Sequence, residues 1–267
     1  MPAERTCVLT IAGFDPTGTV GMPVDLRTFT NAGLHGLGVV SVVTAQDTVG
    51  IAGVTALSET VVSDQLSTLL CDVEPVATKT GMLWSPPLAG VVASAVDQLG
   101  QLVIDPVLVD GAGGRIIDAG IDEVYRSRLF PAATVITPNR AEAGLLVGRT
   151  VSSIDDAIEA AGRLLEFGPQ WVVVTAGGPG DGQADVIATE HDVHVVETVR
   201  HDVPSVRGSG DTLSAAITAG LALGLSAFDA ISNGITFTSR AIHRGVDSKL
   251  GSGRPSAMQS PSDWLTQ

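Results

Sequence analysis

Lysine is almost missing from this chain: Lys79 and Lys249 are the only two. Acidic residues outnumber basic ones 29 to 15, which leaves a formal charge of −14. That balance excludes nucleic acid as a main partner, because meeting a phosphate backbone needs a basic surface. A nucleotide would have to be held by arginines, backbone amides, helix N-termini and metal ions gathered at one place. Cysteine is equally scarce. Cys7 and Cys71 lie in apolar patterns and read as two buried free thiols rather than a disulfide or a metal pair. No apolar run is long enough to cross a bilayer. The opening residues Met-Pro-Ala-Glu-Arg lack the basic start and apolar core of a signal peptide. The expectation is a cytoplasmic protein with no membrane contact. The G-x-x-x-x-G-K-[ST] of phosphate-loop enzymes and the G-x-S-x-G of serine hydrolases are both missing. His35, His191, His194, His201 and His243 are scattered and form no zinc-like cluster.

The chain does have enough apolar residues, 44% of 267, for one large core. Short apolar runs alternate with helical patterns. Val8 to Ala12, Gly38 to Thr44, Leu102 to Asp105, Thr134 to Thr137 and Trp171 to Thr175 read as strands buried on both faces, as in a parallel sheet. Val62, Leu66, Leu69, Leu70 and Val73 fall on one helical face. Ser153 and Asp156 open a helix with capping-box spacing; Ile158, Ala161 and Leu165 would face inward, and Gly168 closes it. Asp185 to Thr189 and Val193 to Thr198 suggest a hairpin or antiparallel edge. Without a repeat or a linker, the expectation is a single α/β domain over residues 1–267, helices on both faces of the sheet. The Ser-, Pro- and Gly-rich tail after Gly251 is expected to be poorly ordered.

Chemistry concentrates where predicted strands end. Arg207-Gly208-Ser209-Gly210-Asp211 runs into an alanine-rich helix. Glycines there let amides converge, and the helix N-terminus favours an anion. Asp211 beside such an anion hole could accept a proton from an attacking hydroxyl; it could equally be a helix cap behind a tight turn. Thr137-Pro138-Asn139-Arg140-Ala141-Glu142 follows a strand and has the spacing of a capping box, while Glu142 could also hold a magnesium-bound water. Gly13 to Gly21 leaves the first strand where open α/β sheets bind ligands, and Asp25 follows. Thr175 to Gly180 and Asp105-Pro106 follow further strands.

In order along the chain, these segments resemble the hydroxymethylpyrimidine/phosphomethylpyrimidine kinases of the ribokinase superfamily. The resemblance rests on Leu9 to Pro16, Thr44-Ala45-Gln46-Asp47-Thr48, Lys79 to Leu83, Asp105-Pro106-Val107, Thr137 to Glu142 and Gly208 to Thr212. It implies a ribokinase-like three-layer fold, ATP and Mg2+ as cofactors, a heterocyclic alcohol as substrate and a homodimer. It implies Val20, Asp25, Gln46 and Met82 at the pyrimidine, and Asn139, Glu142, Thr175 and Gly177 at the nucleotide. Asp105 and Glu142 would serve magnesium through water, and Gly208, Ser209, Gly210 and Asp211 the anion hole and base. Pyridoxal kinase and a non-catalytic pyrimidine or nucleotide binder are the alternatives. The chain departs from the family pattern at Ala176, where relatives carry lysine; Arg207 is the expected replacement cation, with Lys79 and Lys249 set aside.

Overall fold

The computed structural model describes residues 5–110, 114–118, 120–176, 184–197 and 206–264. One nine-stranded sheet runs through it, in the order β3-β2-β1-β4-β5-β6-β7-β8-β9. The strands are β1 (Cys7–Phe14), β2 (His35–Gln46), β3 (Ile51–Ala56), β4 (Ala77–Thr80), β5 (Gln101–Ile104), β6 (Val135–Ile136), β7 (Trp171–Val174), β8 (Ala184–Ala188) and β9 (Val193–Glu197). β2, β1, β4, β5, β6 and β7 pair in parallel, whereas β3, β8 and β9 join antiparallel at the two edges.

Successive residues of each parallel strand point to opposite faces, and the apolar run therefore feeds two cores. On one face Leu9, Ile11, Leu102, Ile104, Ile136 and Val172 pack with α2 (Glu59–Leu70), α3 (Pro86–Ala93), α5 (Arg140–Val147) and α6 (Ile154–Leu165). On the other, Val8, Ala77, Val103, Val135 and Val173 meet α1 (Met22–Asn31), α7 (Ser209–Ala222) and α8 (Ala227–Val246). This is the three-layer α/β arrangement expected, and the hairpin expected after residue 184 is β8–β9.

Two strands escaped the periodicity. β3 carries a glycine and is largely exposed, so it shows no apolar run. β4 is wholly buried yet reads Ala-Thr-Lys-Thr, a polar string with no apolar signature. Ser153 and Asp156 do form a capping box, but α6 buries Ala157, Ala160, Ala161 and Leu164, with Ile158 and Leu165 only at the flanks. Small residues thus face the sheet and let the helix approach it.

The cysteines are corrected: both are free, but Cys71 is exposed just past the end of α2, and Cys7 is half-buried at the start of β1. The tail also differs from expectation, since residues 252–264 pack on the body. Ser256 bridges Arg207, Met258 N–H donates to the Ala241 carbonyl, and Arg244 pairs with Asp263. No described helix is long and apolar enough to cross a membrane.

Tyr125 stacks on Phe130 at 5.6 Å between ring centroids, is fully buried, and its hydroxyl has no hydrogen-bond partner among the described residues. Burial pushes that phenol well above its usual range. An unpaired buried hydroxyl costs about 1–3 kcal/mol. Tyr125→Phe is therefore expected to raise thermal stability by a few degrees. A lower melting temperature for the variant would mean that the hydroxyl has a partner.

Candidate active site

The sheet places the chemistry. β1 has β2 on one side and β4 on the other, so the chain order reverses there, the place beyond the carboxyl ends of the strands where open α/β sheets bind ligands. The loop after β1, Gly81-Met82 after β4, Asp105 after β5, Asn139 after β6 and Thr175 after β7 all lie along that edge.

Lys79 stands at its centre. It is the registered neighbour of Thr10 on β1 and of Val103 on β5, on the face covered by α1 and α7. Its side chain is completely buried, and its Nζ lies 2.7 Å from Asp25 Oδ1, 3.0 Å from Asp211 Oδ1 and 4.0 Å from Asp105 Oδ2. Burial alone would favour a neutral amine. The charges of Asp25, Asp211 and Asp105 outweigh it and hold the ammonium above its ordinary pKa. Asp25 accepts from Thr10 Oγ1 at 2.6 Å through its other oxygen. Burial pushes Asp25 up to about 6, with Lys79 opposing. Asp25, expected at the acceptor pocket, is 0% exposed, with one oxygen on Lys79 and the other on Thr10.

The exposed side of this cluster is the start of α7. Gly208 caps the helix with φ 73°, and a Cβ there would lie 2.2 Å from the Thr19 carbonyl oxygen. Only glycine allows the turn to sit against the loop after β1. Ser209, Gly210 and Asp211 form the first turn, their amides at the positive helix end. Asp211 is partly exposed and held by Lys79 through one oxygen. Asp15 organises the facing loop: its carboxylate accepts from the Thr17, Thr19 and Val20 amides and from the Thr17 and Thr19 hydroxyls. Val20 and Met82 are half-buried, and a Cβ on Gly13 would lie 3.8 Å from Met82 Cβ. Gln46, also half-buried, ends β2 beside this loop, where Thr44 Oγ1 donates to the Phe14 carbonyl.

On the far side, Asn139 and Glu142 form the expected capping box of α5. Glu142 spends its oxygens on the Asn139 and Leu108 amides, at 3.0 and 3.1 Å. Asp105 accepts from Ser214 Oγ at 3.1 Å. Burial, and then the Asp105 charge, pushes Glu142 up to about 8; burial pushes Asp105 up to about 7, against the pull of Lys79. Two such hard-oxygen groups suit the water shell of a divalent cation. Among the described residues no group of three His, Cys, Asp or Glu converges on a metal. Thr175 bridges Asn139. Ala176 N–H donates to Asp185. Gly177 lies outside the described residues.

The structure thus brings Asp25, Asp105 and Asp211 together on Lys79, and Thr19 against Gly208. Lys79, set aside on sequence, is the cation next to Asp211. Arg207 points instead toward the loop after β1, its Nε donating to Thr19 Oγ1 at 3.2 Å.

A mostly parallel sheet with a glycine turn at a helix N-terminus and Asp211 beside it makes an α/β site suited to an anion. The sequence matches the family described as phosphomethylpyrimidine kinase over residues 15–256. A hydroxymethylpyrimidine/phosphomethylpyrimidine kinase of Synechococcus elongatus is 38% identical over 248 residues, 92% of this chain and 94% of the relative. An ADP complex of Bacillus subtilis pyridoxal kinase is 33% identical, with a TM-score of 0.89 over 97% of this chain and 99% of that one. The pyridoxal kinase of Staphylococcus aureus in complex with pyridoxal is 31% identical at a TM-score of 0.85, covering 96% of this chain and 93% of that one. The chain belongs to the phosphomethylpyrimidine kinase family.

Lys79→Met would strand Asp25 as a buried, uncompensated charge. Breaking a buried pair in this way costs about 3–5 kcal/mol. Denaturant unfolding should show that loss for the single variant, and Lys79→Met with Asp25→Asn should recover part of it. Strictly additive losses would show that the two side chains are not coupled.

Proposed function

We propose that this chain transfers the γ-phosphoryl group of ATP to the hydroxymethyl group of 4-amino-5-hydroxymethyl-2-methylpyrimidine, to its monophosphate, or to both, as in thiamine biosynthesis. The observation that carries this reading is Asp211, fixed by the buried Lys79 at the N-terminus of α7. Mg-ATP, when bound, supplies the phosphoryl group and the divalent charge that offsets it. The amides of Gly208, Ser209, Gly210 and Asp211 face the oxygens of the transferring group. Asp211 keeps one carboxylate oxygen on Lys79 and offers the other to the substrate hydroxyl, whose proton it takes as the new O–P bond forms, the bond from the γ-phosphorus to the β–γ bridging oxygen breaks and ADP leaves with the electron pair. Asn139, Glu142 and Thr175 would serve the nucleotide side, and Asp105 and Glu142 would hold the water shell of a divalent ion that offsets phosphate charge.

The acceptor side is built from Val20, Met82 and Gln46. A pyrimidine offers ring nitrogens and an amino group in one plane. The Gln46 amide can both donate to and accept from that edge, and the Met82 thioether suits its face. A second reading, pyridoxal as acceptor, is favoured by the likeness to pyridoxal kinases at TM-scores of 0.89 and 0.85. Pyridoxal also presents a hydroxymethyl group on a flat nitrogen ring. An acceptor panel of hydroxymethylpyrimidine, its phosphate and pyridoxal with ATP separates the two readings. Turnover of pyridoxal alone would replace the pyrimidine reading, and nucleotide binding without any turnover would favour a non-catalytic binder.

Asp211→Asn is nearly isosteric and keeps the helix start, but its amide cannot take a proton. Turnover of the alcohol should fall by about 10²–10⁴ with nucleotide affinity retained. Near-normal turnover would reduce Asp211 to a structural group. Gln46→Ala should weaken acceptor binding by about 1–3 kcal/mol, with little effect on ATP. Equal losses for acceptor and ATP, measured by calorimetry, would remove Gln46 from the acceptor pocket.

A further inference from the structure

Arg207 occupies a place that phosphoryl transfer to an alcohol does not require. Its backbone is clamped by the C-terminal segment: Arg207 N–H donates to the Pro255 carbonyl at 2.8 Å, and Ala257 N–H donates to the Arg207 carbonyl at 2.9 Å. The same segment is tied to the tip of the β2–β3 hairpin, where Gly253 N–H donates to Thr48 Oγ1 at 3.1 Å, two residues past Gln46. It is tied as well to the first turn of α7, where Gln259 Nε2 donates to Thr212 Oγ1 at 2.8 Å. One strand of chain thereby fixes Arg207 between the loops of the acceptor side and the anion turn.

The guanidinium turns toward the acceptor side. Its Nε donates to Thr19 Oγ1, one residue before Val20, and its Nη2 is enclosed without a hydrogen-bond partner among the described residues. Asp15, the nearby carboxylate, already has its oxygens on the Thr17, Thr19 and Val20 groups. Burial lowers the pKa of Arg207; Asp15 opposes that, and Arg254, one residue before Pro255, adds to it. Asp47 and Asp211 also act on it, yet none of these carboxylates accepts from Nη2, and a buried guanidinium nitrogen with no acceptor among the described residues can meet an anion.

Resting on the kinase reading above, we propose that Arg207 is the specificity-determining residue for an acceptor that already carries a phosphate. Its enclosed Nη2 would grip that phosphate between the Thr19 loop and the Gly208 turn. In that reaction an ionised oxygen of the acceptor phosphate attacks the γ-phosphorus. A P–O–P link forms, the β–γ bond of ATP breaks, and ADP leaves with the electron pair. No proton has to be removed, so the demand shifts from a base to a cation that offsets the approach of two anions. The same guanidinium chemistry could serve the transferring γ-phosphoryl group instead, and the two sources make different predictions.

The test compares kcat/KM for hydroxymethylpyrimidine and for its monophosphate in wild type, Arg207→Ala, Arg207→Lys and Arg207→Gln. It is paired with calorimetric binding of the monophosphate without nucleotide. Arg207→Gln keeps a donor for Thr19 and so guards against a variant that merely misfolds. The ratio of monophosphate to alcohol kcat/KM should fall by about 10–100-fold in the Ala and Gln variants and recover partly in Lys. Calorimetric affinity for the monophosphate should fall in parallel. Equal losses for both acceptors would assign Arg207 to the transferring group and overturn the proposal; an unchanged ratio would overturn it too. If the wild type turns over neither acceptor, the kinase reading fails on its own, and the calorimetric arm still decides whether Arg207 holds a phosphate.

Discussion

A single buried ammonium organises the site. Lys79 has no contact with water, yet it stays charged because three carboxylates from separate parts of the chain face it. Asp25 comes from α1, Asp105 from the end of β5 and Asp211 from α7. Removing a lysine from water costs several kcal/mol unless it is fully paired. Those elements therefore cannot drift apart without exposing an unpaired charge. The strand registers of β1, β4 and β5, the docking of α1 and the placement of α7 all meet in that one constraint. It also explains why one oxygen of Asp211 is fixed while the side chain keeps a route to solvent.

The chain's acidity is reconciled with phosphate chemistry in the same way. With a net charge of −14, no broad positive surface draws a nucleotide in. Positive potential is instead local, in the amides at the start of α7, in Lys79 beneath Asp211 and in Arg207 beside the loop after β1. Helix ends and buried cations in a low-dielectric crevice do this work with few charged side chains.

Much of this was legible in the residues, and the remainder was hidden for physical reasons. Apolar runs revealed β1, β2, β5, β6 and β7, and Ser153 with Asp156 and Asn139 with Glu142 revealed two helix starts, because these signals are local. The glycine turn before Asp211 was visible for the same reason. The pairing of Lys79 was not: the lysine entered only as the first residue of the Lys79 to Leu83 segment, and its partners stand 54 and 132 residues away. Asp25 was named from the resemblance, and its buried pairing was hidden because that depends on Lys79, 54 residues away. Asp15 read only as one residue of the loop after β1, because its partners are loop amides. The tail read as loose from its Ser, Pro and Gly content. Gly253 is instead required there, because the chain passes so close to the Thr48 carbonyl that a Cβ would collide.

The central claim is that this site joins a phosphoryl group to a hydroxymethyl heterocycle. Phosphorus NMR of the purified protein with Mg-ATP and hydroxymethylpyrimidine tests it most directly. The account predicts that ADP forms together with a phosphate ester whose phosphorus couples to the methylene protons, and that the ester is lost with Asp211→Asn. Release of inorganic phosphate alone, or ATP unchanged beside intact acceptor, would contradict it.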